Sequence, residues 1–503
     1  MPRISITDTV PAGPEKSPER RFAQYFFCSY AIITAESRHD GDIFRMTVGA
    51  VMTAKRTSTH IDMTEGSIVR HILAMAIPMI LGNYIQLTYN LVDSVVVGKL
   101  LGAEALAAVS TSNPVMTLMV MGTSGIGVGA GIIMSRLFGA REYGKLKREF
   151  STTLIFSTGV SLFVFLVGIF LSRNILLWIN TPEESLNMAV TYLRTVLFGF
   201  LFTFLYNILS CAMRSIGDSR SPVLFLGIAC GLNVLLDPLF IGVFSLGVFG
   251  AGLATVLSQA ISVVLCMVWI YRRIPELSLK RNEFAADTGL LKETVASGAL
   301  VAMQQTVIPL GKLFVQSAIN SLGVVAVGAF NAASRVDDFF FIPATSIANG
   351  ITTCTAQNLG AEKFARVNET FKKGLAVELC YFPVAAVMSL LVRRPAVRLL
   401  CPDGSQVMID MAILCLNVKL VSLVIGCTNN ALQGWSRGIG KLTIVFLASA
   451  FQITIRAILT TVLAPKIGVV GEAFACMAGW TFMCLFELCC LYVLKKKGEL
   501  PHE

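Results

Sequence analysis

Charge is scarce in this chain. Lys, Arg, Asp and Glu make up 14% of 503 residues, against roughly a quarter in soluble domains. A water-soluble chain of this length divides into about three or four domains, each needing a polar surface. The shortage excludes an ordinary globular enzyme, a disordered polymer and a nucleic-acid binder. Histidine is nearly absent, with four residues, at 39, 60, 71 and 502, so no His-based metal site or catalytic triad is expected. No Walker A sequence is present, which excludes ATP hydrolysis by that route, and no Arg-rich span resembles a voltage sensor. The thirteen cysteines form no CxxC or Cys/His metal spacing. Most, such as Cys211, Cys266, Cys354 and Cys427, fall in apolar runs and read as packing residues. No cofactor is expected.

What the chain has instead is 54% hydrophobic residues, arranged in runs long enough to cross a bilayer, which takes about 20 residues. Twelve such runs follow Met63: 68–97, 104–137, 150–172, 188–213, 221–243, 248–271, 294–319, 324–351, 370–392, 407–433, 442–464 and 468–494. The fold class expected is an all-α polytopic membrane protein with twelve transmembrane helices in two pseudo-symmetric six-helix bundles. The net charge of +10 comes from basic residues in short loops, which are topology signals and contacts for anionic lipid. They concentrate after even-numbered spans, as in Arg136, Arg141, Lys145 and Lys147 after the second and Lys363, Arg366, Lys372 and Lys373 after the eighth. Even-numbered loops and both termini are therefore expected on the cytoplasmic side of a plasma membrane, a bacterial inner membrane.

The two halves repeat. Gly102, Gly139 and Gly247 open short segments that recur at Gly323, Gly360 and Gly468, all at one spacing of 221 positions; Arg214-Ser215-Ile216-Gly217 recurs as Arg437-Gly438-Ile439-Gly440, 223 on. Six spans per half preserve orientation, so the repeat is parallel, about an axis along the membrane normal, with a substrate cleft between halves. The organisation expected is an N-terminal extension over 1–62, bundles over 63–271 and 294–496, a cytoplasmic linker over 272–293 and a tail over 497–503. The extension carries one apolar run, 22–35, too short for an ordinary span, and reads as disordered or as a mis-assigned leader.

An ionisable residue at the bilayer centre costs on the order of 3 kcal/mol on insertion scales, so each needs a role. Tyr89 and Asp93 in the first span, and Asn233 and Asp237 in the fifth, are i, i+4 pairs on one helix face. With Thr255 in the sixth span and Asn207 in the fourth, they offer oxygen ligands. Two carboxylates among such groups share a proton or hold a small hard cation such as Na⁺. The plain alternatives are that each Asp caps a helix or faces a lumen passively, and that Asp237-Pro238 simply breaks a helix. Pro78 removes a ladder hydrogen bond within the first span and permits a kink. In the second half, Lys312, Lys419, Arg456, Asp337 and Asp338 either pair with one another, Lys312 with Asp337 or Asp338 in particular, or face substrate. Gly125, Gly127 and Gly129 follow no strand, so they read as close helix packing rather than a nucleotide loop.

YNLVDSVVVG (89–98), FGAREYGKLKR (138–148), RSIGDSRSP (214–222), NVLLDPLFI (233–241), GVFGAGLAT (247–255) and QNLGAEKFARVN (357–368) together resemble the MATE family of multidrug and toxic compound extrusion transporters, over about 63–496. The resemblance implies exchange of H⁺ or Na⁺ for amphipathic organic cations. It maps the family's cation-linked site onto Asp93, Asn233, Asp237 and Thr255, its tyrosine and fourth-span Asn onto Tyr89 and Asn207, and its kinking proline onto Pro78. Essential acids that some members carry in spans seven and ten are not matched, so coupling through the first half is expected. Partners expected are a small-molecule substrate and membrane lipid, with no nucleic acid and a monomeric chain. The rivals are a flippase of lipid-linked precursors, a non-transporting receptor and an intramembrane enzyme.

Overall fold

The computed structural model describes residues 61–500, apart from 180 and 403. The extension expected over 1–62 therefore lies outside the described residues except for Ile61 and Asp62, as do 501–503 of the tail. Among the described residues there are twelve long helices and no strand: α1 Ile68–Leu101, α2 Ala103–Gly139, α3 Tyr143–Trp178, α4 Glu183–Ser215, α5 Arg220–Pro238, α6 Gly247–Arg273, α7 Thr288–Asn320, α8 Val324–Gly360, α9 Phe364–Leu400, α10 Gln406–Gly438, α11 Leu442–Ile467 and α12 Val470–Lys496. Helices are forced by the solvent, because in hydrocarbon each backbone N–H and C=O must be satisfied within its own segment. Many run past their apolar stretch; α3, with 36 residues, is about 54 Å long against a hydrocarbon layer of about 30 Å. Eleven helices are apolar and long enough to cross a membrane. The exception, α8, is diluted by Arg335, Asp337, Asp338 and a run of Ser, Thr and Asn.

The repeat in the sequence is a repeat of backbone conformation. Gly102 and Gly323 take φ of 87° and 92°, the left-handed region open to glycine at little cost, and each turns the chain sharply between two helices. Arg141 and Glu362, also repeat mates, both sit at positive φ, 57° and 56°. Within the first half α2 packs on α4, α4 on α6, α3 on α4, α1 on α5 and α5 on α6; the same five pairs recur as α8 on α10, α10 on α12, α9 on α10, α7 on α11 and α11 on α12. Across the halves α2 meets α7 and α8 meets α1, again as mates.

Contacts between halves crowd toward the helix ends that carry the even-numbered loops. Gly125 and Gly129 bring the α2 backbone against Ala302 and Gly298 of α7, while Gly127 faces Cys211 of α4, the close packing expected of these glycines. At the helix ends, a Cβ at Gly139 would overlap the Gln357 carbonyl, and a Cβ at Gly360 would overlap the Arg136 carbonyl. Gly139 and Gly360 are repeat mates, as are Arg136 and Gln357. An Arg136–Glu293 ion pair joins α2 to α7 at the same level.

Two prolines interrupt the ladder where α1 meets its neighbours. Pro78 lies inside α1, and the carbonyl four residues earlier, at Ala74, accepts instead from Ser219 Oγ at 3.1 Å. Pro343 lies inside α8, and the freed Phe339 carbonyl accepts from Tyr84 OH of α1 at 3.1 Å. Each missing bond is thus replaced across helices. The α6–α7 connection passes over the surface with a short 3₁₀ turn at Arg281–Glu283. There the Lys280 N–H and the Lys147 ammonium hold the Glu283 carboxyl below its ordinary pKa. Asp287 caps α7 by accepting from the Gly289 and Leu290 N–H groups.

Candidate functional site

A cavity of about 850 Å³ lies between the halves and is lined from both. Its second-half wall carries a stacked aromatic pair, Phe341 and Trp480, with ring centroids 5.4 Å apart. Lys312, Asp337, Asp338, Lys419 and Arg456 all reach this wall.

The first-half residues form a separate cluster, away from that cavity's lining. The carboxyl groups of Asp93 on α1 and Asp237 on α5 come within hydrogen-bonding reach of each other. Asp237 is fully buried in the last turn of α5. The chain does not break after it, because Pro238 leads into a π-helical turn, Leu239–Val243. Asn233, one turn earlier, donates from Nδ2 to Asp237 Oδ2 at 2.8 Å and accepts at Oδ1 from the Thr255 N–H at 3.1 Å. The Thr255 hydroxyl lies 3.3 Å from the same amide. Tyr89, within hydrogen-bonding reach of Thr255, and Tyr192 of α4, which sequence reasoning missed, lie in the same neighbourhood as the two carboxyls. Among the described residues no lysine or arginine pairs with either acid, and Asp237 Oδ1 has no donor. Asn207 stands apart. Gly199 is the α4 residue packed on Val256 of α6, and Asn207, two turns further, lies about 12 Å along the axis and lines the central cavity.

The second-half charges pair with one another. Lys312 reaches Asp338 at 3.2 Å, in the exposed part of the cavity. Lys419 lies 3.5 Å from Asp337 and 3.4 Å from Glu472, with its ammonium over the Phe330 ring. Arg456 Nε donates to Glu472 Oε1 at 3.0 Å. Glu472 is fully buried and was not anticipated; its one sequence signal is that it occupies, in the repeated segment, the place of Ala251. Two cations and two carboxylates thus neutralise one another across α8, α10, α11 and α12. Removing one partner of such a group leaves a buried charge uncompensated, at about 3 kcal/mol or more. Lys419→Met should therefore lower the thermal unfolding midpoint in detergent markedly, and the further change Glu472→Gln should restore part of it. An unchanged midpoint in Lys419→Met would mean that the group is not coupled.

Other buried acids escaped notice: Glu378 and Glu487 each stand alone in an apolar run, and Glu149 directly follows the basic residues Lys145, Lys147 and Arg148. Glu149 of α3 accepts from Thr294 Oγ1 of α7 at 2.6 Å. Glu378 and Glu487 are fully buried, with neither carboxylate oxygen partnered.

Over the described residues, an all-helical, multi-pass chain with two pseudo-symmetric halves and a cavity between them has the architecture of an alternating-access membrane transporter. The chain belongs to the MatE family, whose model matches residues 78–239 and 301–462, once in each half. It is similar to the probable multidrug resistance protein YpnP of Bacillus subtilis (strain 168), 30% identical over 307 residues, covering 61% of this chain and 68% of the relative. It is also similar to the multidrug export protein MepA of Staphylococcus aureus (strain N315), 23% identical over 438 residues, 86% of this chain and 95% of that one. A solved structure described as the outward-facing conformation of a multidrug resistance MATE family transporter of the MOP superfamily matches with a TM-score of 0.81 at 22% identity, over 88% of this chain and all of that one. Another, a MOP superfamily transporter from Pyrococcus furiosus whose description concerns a binding pocket of reversed polarity, matches with a TM-score of 0.80 at 22% identity and the same 88% coverage of this chain.

Proposed function

We propose that the chain exports amphipathic small molecules by alternating access, driven by H⁺ or Na⁺ entering at the first-half acids. The observation that carries this is the contrast between two acid clusters, one in each half. Asp337 and Glu472 have their cations built in, at Lys419 and Arg456, whereas Asp93 and Asp237 face one another with none. Two carboxylates that close cannot both stay charged in a low-dielectric site without a proton or a cation between them. Asn233, Thr255 and Tyr89 supply the oxygens and donors that orient the pair. Arrival of the ion removes a negative charge from the end of α1, the helix that spans the first half and, through Tyr84, grips α8. Substrate and ion then disfavour one another's binding by linkage.

Basic loops support a cytoplasmic side at the even-numbered loops. The halves touch at that side, so the cavity faces outward, toward the periplasm or medium, in a bacterial inner membrane. The names of the relatives support multidrug substrates. The pairing of Lys419 and Arg456 with acids removes two of the cations a lipid-precursor flippase would use.

The test is reconstitution of the full chain in liposomes under a pH gradient, first without and then with sodium, reading transport of a lipophilic cationic dye. Dye flux driven by the pH gradient alone assigns H⁺, and flux that requires a sodium gradient assigns Na⁺. Flux under neither would overturn the reading.

A further inference from the structure

Arg214 ends α4 and Arg437 ends α10; they are repeat mates in the register that relates the two family matches, and both line the central cavity. They rise from one floor. Gln357 Nε2 of α8 donates to the carbonyl of Ser215 at 2.7 Å, and Gly438 packs on Thr355 of the same turn of α8. The helix ends that carry the two arginines therefore meet α8 within one turn of each other, one from each half. Arg437 donates from Nε to the Gln433 carbonyl at 3.3 Å, and Arg214 reaches only Cys211 Sγ, at 3.5 Å. Among the described residues neither lies within the 4.0 Å of an ion pair from any carboxylate. Lys312, Lys419 and Arg456, on the same cavity wall, are all ion-paired. The acid that acts electrostatically on Arg437 is Glu487 of α12, which is not part of the cavity wall.

A half-buried guanidinium is costly in a low-dielectric wall unless an anion meets its donors, and its planar fork matches a carboxylate or phosphate. Two such forks at one floor are a receptor for an anion. We propose that Arg214 and Arg437 bind a single oxyanion group, carboxylate or phosphate, carried by the transported molecule. Substrates then present an anionic end to the floor and an aromatic or cationic end to Phe341, Trp480 and the Asp337–Asp338 wall, which makes zwitterions the favoured class. This rests on the cavity being the transport path.

The test uses the full chain in neutral-lipid liposomes and one xanthene dye in two forms, the cationic ester and the zwitterionic free acid. Arg214→Gln and Arg437→Gln should each lower zwitterion flux on the order of tenfold, the effect of one charge-assisted hydrogen bond, while ester flux stays within about twofold. Arg437→Lys should recover part of the loss, because it restores charge without the fork. Parallel loss of both dyes, or an unchanged zwitterion rate, overturns the proposal. If the unmodified chain moves neither dye, the transport reading fails by itself, and calorimetry with inorganic phosphate in neutral-lipid nanodiscs decides the site. Phosphate binding that disappears in the double Gln variant supports an oxyanion receptor, and no binding to the unmodified chain refutes it.

Discussion

Asp93→Asn abolishes ion-driven export while the protein remains folded: that is the expected result, with gradient-dependent dye flux falling on the order of 100-fold, the upper end of ordinary coupling free energies. The amide keeps the size and hydrogen-bonding reach of the side chain but cannot take up a proton or balance a cation. Asp237 then has a permanent neutral neighbour in place of a second acid, and the reason for a shared ion is gone. The variant therefore resembles the ion-occupied state, and its residual exchange should no longer respond to the gradient. Asp237→Asn should behave alike, since each acid acts through the other. Initial flux in proteoliposomes with and without the gradient, beside an unfolding midpoint in detergent, separates lost coupling from lost fold. Gradient-driven flux at the unmodified rate in Asp93→Asn would sink the mechanism.

The second large effect is expected at the glycines where the halves touch. Gly139 and Gly360 meet the carbonyls of Gln357 and Arg136 so closely that an added Cβ overlaps backbone, which unlike a side chain has nowhere to rotate. Ala at either position must push α2 and α8 apart. Overpacking costs about 2 kcal/mol per site, roughly a thirtyfold change in the ratio of two conformers. The cost falls only on the state in which these ends touch. Gly139→Ala and Gly360→Ala should therefore favour the opposite opening, and the double variant more so. Amide exchange at 136–141 and 357–362 should speed up, and export should slow. Unchanged exchange in the double variant would mean that the contact does not hold the closed end.

Sequence periodicity carried much of the site. The i, i+4 spacings of Tyr89 with Asp93 and of Asn233 with Asp237 fixed which side chains share a face of α1 and of α5, and Thr255 was read as a further oxygen ligand before the resemblance drew them into one site. The glycine repeat was legible because positive φ at Gly102 and Gly323 admits few other residues, so conformation and residue type are locked together. Asn207 was read into the same cluster, and the structure sets it two turns away, on the cavity. Glu472 passed unnoticed because it stands two residues from the start of α12, where a sequence suggests a harmless interfacial acid. Lys312 had two neighbouring acids to choose from; it took Asp338 and left Asp337 to Lys419.

The amino-acid sequence by itself determined the class: too little charge for a water-facing surface, twelve helices demanded by apolar runs, and two halves related by one spacing. Only the tertiary structure decided which ions are cancelled and which are left bare. Helical periodicity places residues on a face of their own helix, but which helix turns that face toward which neighbour is set by packing among all twelve. An ion pair between α10 and α12 exists only once their rotations about their own axes are fixed.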